Sequence, residues 1–161
     1  MKIAIGSDKS GYILKEAIKK QLVSEGWSVD DLGTTDPDQA KGFFIVAPEV
    51  AGRVQAGEYE RAILICGTGA GMSIVANKFK GVQAVACEGV YAATMARVIN
   101  NAQILCLGGW IVAPEMGVKM AQAFLGAEWL QGVEPWREEW LKAAAGQVSA
   151  IEAERFGGKE A

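Results

Sequence analysis

The sequence predicts an α/β protein, a three-layer αβα Rossmann-like sandwich with a five-stranded parallel sheet and an extra C-terminal helix. Short apolar segments alternate with longer segments of helical periodicity along the chain. The short segments are continuously apolar, which is typical of parallel strands buried on both faces. A chain of 161 residues, 50% of them hydrophobic, is long enough to bury the core of one domain.

The predicted elements follow from these patterns and from small or turn-forming residues at their ends. The predicted strands are Lys2–Ser7, Trp27–Leu32, Arg61–Cys66, Val82–Cys87 and Gln103–Leu107. The predicted helices are Gly11–Glu25, Phe43–Ala56, Ala70–Phe79, Val90–Ile99, Pro114–Leu125 and Glu134–Phe156. In the first helix, capped by Ser10 and stopped by Gly26, the expected apolar face is Ile13, Leu14, Ala17, Ile18 and Leu22. Pro48 is acceptable only near the start of its helix, because proline lacks a backbone N–H donor.

The chain divides into a Rossmann-like domain over residues 1–130, a C-terminal helix over 131–156 and a tail over 157–161. Trp136 and Trp140 lie four residues apart and therefore share one face of that helix. This face packs either on a partner subunit or on its own domain, and the sequence leaves both open.

Composition excludes several classes of function. A formal net charge of -3 argues against a broad nucleic-acid surface, and no apolar segment approaches the length of a membrane span. The three cysteines, Cys66, Cys87 and Cys106, have neither metal-ligand spacing nor the even number of a disulfide framework. We therefore expect a cytoplasmic protein without a metal. Because the chain contains 0 histidines, proton transfer must use other groups.

The most informative segment is Ile63–Ser73, in which an apolar strand ends in Cys66 and glycines then alternate with small residues. Glycines allow a backbone to approach a ligand closely, and the helix that follows directs its positive end to the same place. The segment predicts an anion site with a thiol at its edge, and a tight turn without a ligand is the alternative. The G-x-G-x-G spacing, outside the first βα unit, does not fit a dinucleotide site.

Other candidate residues lie in segments expected to meet at the carboxyl edge of the sheet, namely Ser7–Ser10, Cys66–Gly71 and the segment around Asn100 and Asn101. Asp8 either orients a substrate hydroxyl or caps the first helix, and Lys9 either neutralises an anion or is solvated. Thr68 and Ser73 either donate hydrogen bonds in the loop or cap the third helix. Cys87 and Cys106 are interpreted as core residues.

Residues 1 to 130 contain, in order, stretches that resemble the ribose-5-phosphate isomerase B and galactose-6-phosphate isomerase family. The most specific is Ile65-Cys66-Gly67-Thr68-Gly69, continued by Gly71-Met72-Ser73 and Ala76-Asn77-Lys78. The others are Lys2–Asp8, Leu14-Lys15, Gly81–Ala84, Tyr91-Ala92, Asn100, Leu105–Gly108 and Glu115.

The resemblance implies an aldose–ketose isomerase that moves a proton between C1 and C2 through a cis-enediolate, without a metal or cofactor. It implies a homodimer or homotetramer whose sites are completed by the neighbouring subunit. The implied catalytic residues are Cys66 as base, Thr68 in ring opening and Asp8 near the substrate hydroxyls. The backbone of Gly67, Gly69 and Gly71 is the implied anion hole, and Asn100 the implied sugar contact. Ser73, within the same loop and helix start, is a further candidate substrate contact.

Departures from the family pattern concern ring opening and phosphate binding. Lys9 and Ile99 replace family histidines, and Phe43 follows Gly42 where an Asp-Tyr-Pro sequence is usual. Only Arg137 matches the arginines that hold phosphate, and Glu134 lies nearby. We expect a sugar or sugar-phosphate isomerase that is not optimised for ribose 5-phosphate, with Lys9, Phe43 and Arg137 contacting the substrate. The alternative is a supporting, non-catalytic subunit of a heteromeric isomerase.

Overall fold

The computed structural model describes residues 2–157. Its five strands are β1 (Lys2–Ser7), β2 (Ser28–Asp31), β3 (Arg61–Cys66), β4 (Ala84–Ala86) and β5 (Ile104–Gly108). They form one parallel sheet in the order β2-β1-β3-β5-β4. The three central strands are buried on both faces, which explains their continuous apolar sequences.

Helices cover both faces of the sheet. They are α1 (Tyr12–Ser24), α2 (Phe43–Gln55), α3 (Ala70–Ala76), α4 (Val90–Val98), α5 (Pro114–Gly126) and α6 (Pro135–Phe156). Helices α1, α4 and α5 enclose one hydrophobic core, and α2 and α3 enclose the other. This division follows from right-handed crossovers. The connections through α1 and α4 cross the sheet in one direction and those through α2 and α3 in the other, so the two pairs of helices lie on opposite faces. The predicted three-layer αβα fold is confirmed.

Helix α1 differs from its prediction in its cap and in its buried face. Gly11, not Ser10, occupies the N-cap position. Ile13 is 76% exposed, whereas the Lys15 side chain is 0% exposed. The predicted face is wrong at Ile13 because α1 is rotated so that Lys15 points inward, toward a carboxylate on β2.

Helices α2 and α3 each show how a local feature fits the backbone hydrogen bonding of the helix. Pro48 lies inside α2 as its sixth residue, where the carbonyl that it leaves without a donor belongs to Phe44 in the exposed first turn. Helix α3 ends at Ala76, earlier than predicted, because the chain tightens into a turn in which Phe79 N–H bonds to Ala76 O.

Helix α6 has few anchors to the domain. Leu141 is its one buried residue, and Glu152 Oε1 accepts a hydrogen bond from Gly81 N–H at 2.9 Å. Trp136 and Trp140 are 68% and 65% exposed. The predicted tail lies outside the described residues from position 158 onward. Within residues 2–157, no helix combines the length and apolarity that crossing a bilayer would require.

Candidate active site

The candidate site lies at the carboxyl ends of β1 and β3. The chain leaves β1 toward β2 on one side, and it leaves β3 toward β4 on the other side. The crossover direction therefore reverses between the neighbouring strands β1 and β3. Ligands of open parallel sheets bind at such a switch point. Ser7 is in register with Ile65, and Asp8 N–H donates to Ile65 O at 3.2 Å. The chain therefore places Asp8 beside the strand that ends in Cys66.

Cys66 ends β3 with its side chain in the core beneath α2 and α3, only 5% exposed. Gly69 N–H donates to Cys66 Sγ at 3.2 Å. Gly69 has φ +79°, in the left-handed region that favours glycine, and this conformation turns its amide back toward the sulfur. A backbone donor at this position stabilises negative charge on the sulfur.

The loop after Cys66 keeps three backbone donors available. Gly69 N–H bonds to the sulfur, and Ala70 N–H bonds to Thr68 Oγ1 at 3.3 Å. The amides of Gly67, Thr68 and Gly71 have no acceptor among residues 2–157. These three N–H groups of the loop are thus available to bind an oxyanion.

The hydroxyls of Thr68 and Ser73 have local roles. Thr68 is exposed and its Oγ1 caps the start of α3. Ser73 Oγ donates to Ala84 O at 2.9 Å, which ties α3 to β4. Contacts of these hydroxyls with a substrate stay predictions.

Asp8 and Lys9 occupy the loop between β1 and α1. Asp8 Oδ1 accepts a hydrogen bond from Gly11 N–H at 3.1 Å, so the carboxylate helps to shape the start of α1. Its second oxygen remains available for a hydroxyl of a ligand. Lys9 is exposed.

Aromatic rings contact both ends of the glycine loop. A Cβ atom on Gly71 would lie 3.2 Å from the ring of Phe43, the first residue of α2. A Cβ atom on Gly67 would lie 2.7 Å from the indole of Trp110. Sequence reasoning missed Trp110, although it directly follows Gly108 and Gly109 at the carboxyl end of β5, where this fold binds ligands.

The prediction that the segment around Asn100 meets these loops at the carboxyl edge of the sheet is wrong for a single copy of the chain. Helix α4 starts after the carboxyl end of β4 and runs back, so Asn100 precedes the amino end of β5. Asn100 instead lines a cavity of about 350 Å³ beneath α6, together with Gln83 and Trp140. Arg137 lies exposed in the first turn of α6.

The other two cysteines lie in the core, as predicted. Cys106 is 0% exposed, and burial, followed by the neighbouring Cys66 and Cys87, raises its pKa well above the ordinary value. Burial likewise raises the pKa of Cys87. Both thiols therefore stay protonated at neutral pH.

A buried ion pair stabilises the loops next to the site. Lys15 Nζ pairs with Asp31 Oδ2 at the end of β2, and it donates to Thr34 O at 2.7 Å. Thr34 N–H in turn donates to Ser7 O at 2.8 Å. Burial alone would raise the pKa of Asp31, but hydrogen bonds from Lys15 and Lys19 outweigh it and hold this pKa below its ordinary value. The ion pair fixes the loop after β2 against the end of β1.

Comparison with known proteins gives the class of this fold and site. Residues 3–138 match the family model described as Ribose/Galactose Isomerase. The 4-deoxy-4-sulfo-D-erythrose isomerase of Clostridium sp. (strain MSTE9) is 55% identical over 152 residues, 94% of this chain and 96% of that protein. Ribose-5-phosphate isomerase B of Escherichia coli (strain K12) is 40% identical over 88% of this chain and 95% of that protein.

Solved structures agree. Ribose-5-phosphate isomerase B of Clostridium thermocellum is 37% identical, with a TM-score of 0.86 over 96% of this chain and 99% of that chain. The Mycoplasma genitalium enzyme with bound ribulose-5-phosphate is 32% identical, with a TM-score of 0.84 over 95% and 97%. The chain belongs to the ribose/galactose isomerase family. It is an aldose–ketose isomerase, as the glycine loop and its surroundings predict.

Proposed function

We propose that this isomerase interconverts a four-carbon aldose bearing a sulfonate on C4 with the corresponding 2-ketose. The observation that carries the proposal is the complete absence of histidine from the sequence. The 55% identity to a 4-deoxy-4-sulfo-D-erythrose isomerase supports it. A D-erythrulose-4-phosphate isomerase 2 of Mycolicibacterium smegmatis, 41% identical over 80% of this chain and 86% of that protein, supports the four-carbon length independently.

The chemistry of the substrate explains why no histidine is needed. Erythrose closes a furanose ring through its 4-hydroxyl. When a sulfonate replaces that hydroxyl, the sugar stays open and C1 is already a carbonyl. The enzyme then needs a base for C2 and an anion hole, but no acid to open a ring.

In the proposed reaction the Cys66 thiolate removes the C2 proton of the aldose and forms a cis-enediolate. The free amides of Gly67 and Gly71 bind the enediolate oxygens, while Gly69 N–H stays on the sulfur. The hydroxyl proton moves from O2 to O1, beside Asp8 and Thr68. The Cys66 thiol then returns its proton to C1, which yields the ketose and regenerates the thiolate.

Charge at the far end of the substrate also favours a sulfonate. A sulfonate carries one negative charge, whereas a phosphate monoester carries nearly two at neutral pH. Lys9 and Arg137 are the cations proposed to bind it, and Glu134 in the same turn as Arg137 disfavours a second negative charge. Few cations therefore suffice.

We also propose that the enzyme is a homodimer, or a homotetramer built from such dimers, with shared active sites. Asn100 lies away from the carboxyl edge of its own sheet, beneath α6, and Arg137 lies in the exposed first turn of that helix. These positions favour their contributing to a second copy. The exposed Trp136 and Trp140 offer α6 as a surface for that copy. The three unpaired thiols favour a reducing compartment, and we propose the cytoplasm.

The test is turnover by the purified chain alone on 4-deoxy-4-sulfo-D-erythrulose, D-erythrulose 4-phosphate and ribose 5-phosphate. We expect kcat/KM to be highest for the sulfonate, with deuterium from the solvent incorporated at the C1 and C2 carbons. A preference for the four-carbon phosphate would assign the head group differently. Absence of turnover on every sugar would favour the supporting-subunit alternative.

A further inference from the structure

Trp110 is a large exposed side chain at the edge of the sheet that carries Cys66. It lies two residues beyond β5 and is 74% exposed, although Gly108, which precedes it by two residues, is buried. An indole held in solvent without a packing reason points to a role in contacting a ligand or partner.

The backbone that carries the indole is fixed by the neighbouring loops. Trp110 N–H donates to Gly67 O at 3.0 Å, and Gly109 N–H donates to Cys66 O at 2.7 Å. Gly109 is itself confined, since a Cβ atom there would lie 2.4 Å from Ser10 O. The loops after β1, β3 and β5 are thus held together, and the backbone of Trp110 is tied to the loop that follows Cys66.

The ring lies directly on that loop. A Cβ atom on Gly67 would come within 2.7 Å of two indole carbons, so glycine is needed for the ring to lie this close. At the other end of the same loop, the Phe43 ring contacts Gly71. Two of the candidate oxyanion donors, Gly67 and Gly71, are therefore each bordered by an aromatic ring.

We propose that Trp110 is the specificity-determining wall that limits the sugar to four carbons. The inference rests on the proposed four-carbon substrate and adds the residue that sets its length. In the proposed pose C1 and C2 lie at the Gly67 and Gly71 amides, and the rest of the sugar runs across the indole face that lies against Gly67. A fifth carbon then brings a further hydroxyl onto a surface that offers no hydrogen-bond acceptor. A hydroxyl that loses water without gaining a partner costs binding free energy, so the longer chain is rejected.

The test compares two open-chain ketoses that share a phosphate and differ by one carbon, D-erythrulose 4-phosphate and D-ribulose 5-phosphate. Neither can close a furanose ring, so ring opening does not enter the comparison. The enzymes are wild type, Trp110→Phe and Trp110→Ala, measured by deuterium incorporation at C1. We expect Trp110→Ala to raise the five-carbon to four-carbon ratio of kcat/KM about tenfold or more, with Trp110→Phe in between.

Phe156→Ala is the control, because it removes another exposed ring, 70% exposed at the end of α6. We expect it to leave the ratio within about twofold of wild type. If the five-carbon to four-carbon ratio of kcat/KM is unchanged in both Trp110 variants, Trp110 does not limit the length of the sugar. The same conclusion follows if the variants change the oligomeric state and leave this ratio unchanged. If wild type prefers the five-carbon ketose, both the proposed four-carbon substrate and the proposed role of Trp110 are refuted. If wild type prefers phosphate over sulfonate at four carbons, only the proposed head group fails.

Discussion

The backbone N–H of Gly69 donates to the Sγ atom of Cys66 across 3.2 Å. The turn that makes this possible has φ +79° at Gly69. Gly69 therefore meets two requirements: it can adopt the left-handed turn, and its N–H group is the hydrogen-bond donor to the sulfur.

Gly69→Ala separates these two effects when it is compared with Gly57→Ala. Gly57 has φ +78° and no atom within 4 Å of an added Cβ, so it carries the same conformational strain away from the site. Gly57→Ala should lose about 1 to 2 kcal/mol of unfolding free energy. Gly69→Ala should lose more, because its Cβ atom would also lie 3.0 Å from the backbone carbonyl carbon of Leu107. Only Gly69→Ala should also lower kcat, by about tenfold to a hundredfold, because the amide turns away from the sulfur. Urea denaturation and steady-state kinetics measure the two effects, and equal kcat values in both variants would refute the role of this hydrogen bond.

Cys66→Ala should remove the proposed base. We expect deuterium exchange at C1 and C2 to fall by at least about a hundredfold, with the fold unchanged by circular dichroism. Cys106→Ala is the matched control, since it removes a thiol on the neighbouring strand whose burial raises its pKa. Unchanged exchange in Cys66→Ala would eliminate Cys66 as the base.

Lys9→Ala should weaken binding without changing the chemical step. The Lys9 ammonium is exposed, so its contribution is modest, and we expect KM to rise about three- to fivefold at constant kcat. The effect should shrink at high ionic strength, because salt screens exposed charges. Lys20→Ala, an exposed lysine of α1 outside the site, is the control. An unaltered KM would show that Lys9 does not meet the substrate.

The sequence predicts the loops directly after the strands well and predicts long-range contacts poorly. Cys66 and its glycines are identifiable because a strand, a thiol and a turn are adjacent in the chain. The prediction for Asn100 names the wrong edge of the sheet because this residue comes after a helix, not a strand. Trp110 also follows a strand, so its place at the carboxyl edge of the sheet is identifiable from the sequence. Its contact with Gly67, 43 positions earlier, is not identifiable, because that contact depends on β3 pairing with β5.

The burial of Lys15 is likewise a long-range effect that the sequence does not predict. A lysine in a helix is expected to face solvent, and here it is fully buried because Asp31, on the next strand, compensates its charge. Its burial depends on a pairing that periodicity does not encode.

Asp31→Asn should make this pairing visible in the pH dependence of stability. The Asp31 pKa is lower in the folded protein than its unfolded value of about 3.9, so the unfolded state binds more protons in between. The stabilisation is therefore present above that unfolded value and is lost as pH falls through the folded pKa. At neutral pH we expect Asp31→Asn to cost about 2 kcal/mol, and this difference from wild type should narrow in acid. Asp38→Asn, at an exposed carboxylate, is the control, and a difference that stays constant with pH would exclude the ion pair as its source.

Shared active sites predict that two inactive variants can restore each other. In a dimer that combines Cys66→Ala with Asn100→Ala, one site receives both substitutions and the other receives neither. Random subunit exchange at equal amounts should therefore recover about a quarter of wild-type activity. Asp8 lies beside Cys66 in the same chain, since its N–H bonds to Ile65 O, so mixing Cys66→Ala with Asp8→Asn should recover none. Recovery in both mixtures, or in neither, would place Asn100 outside the neighbouring site, and an active Asn100→Ala variant would remove it from catalysis altogether.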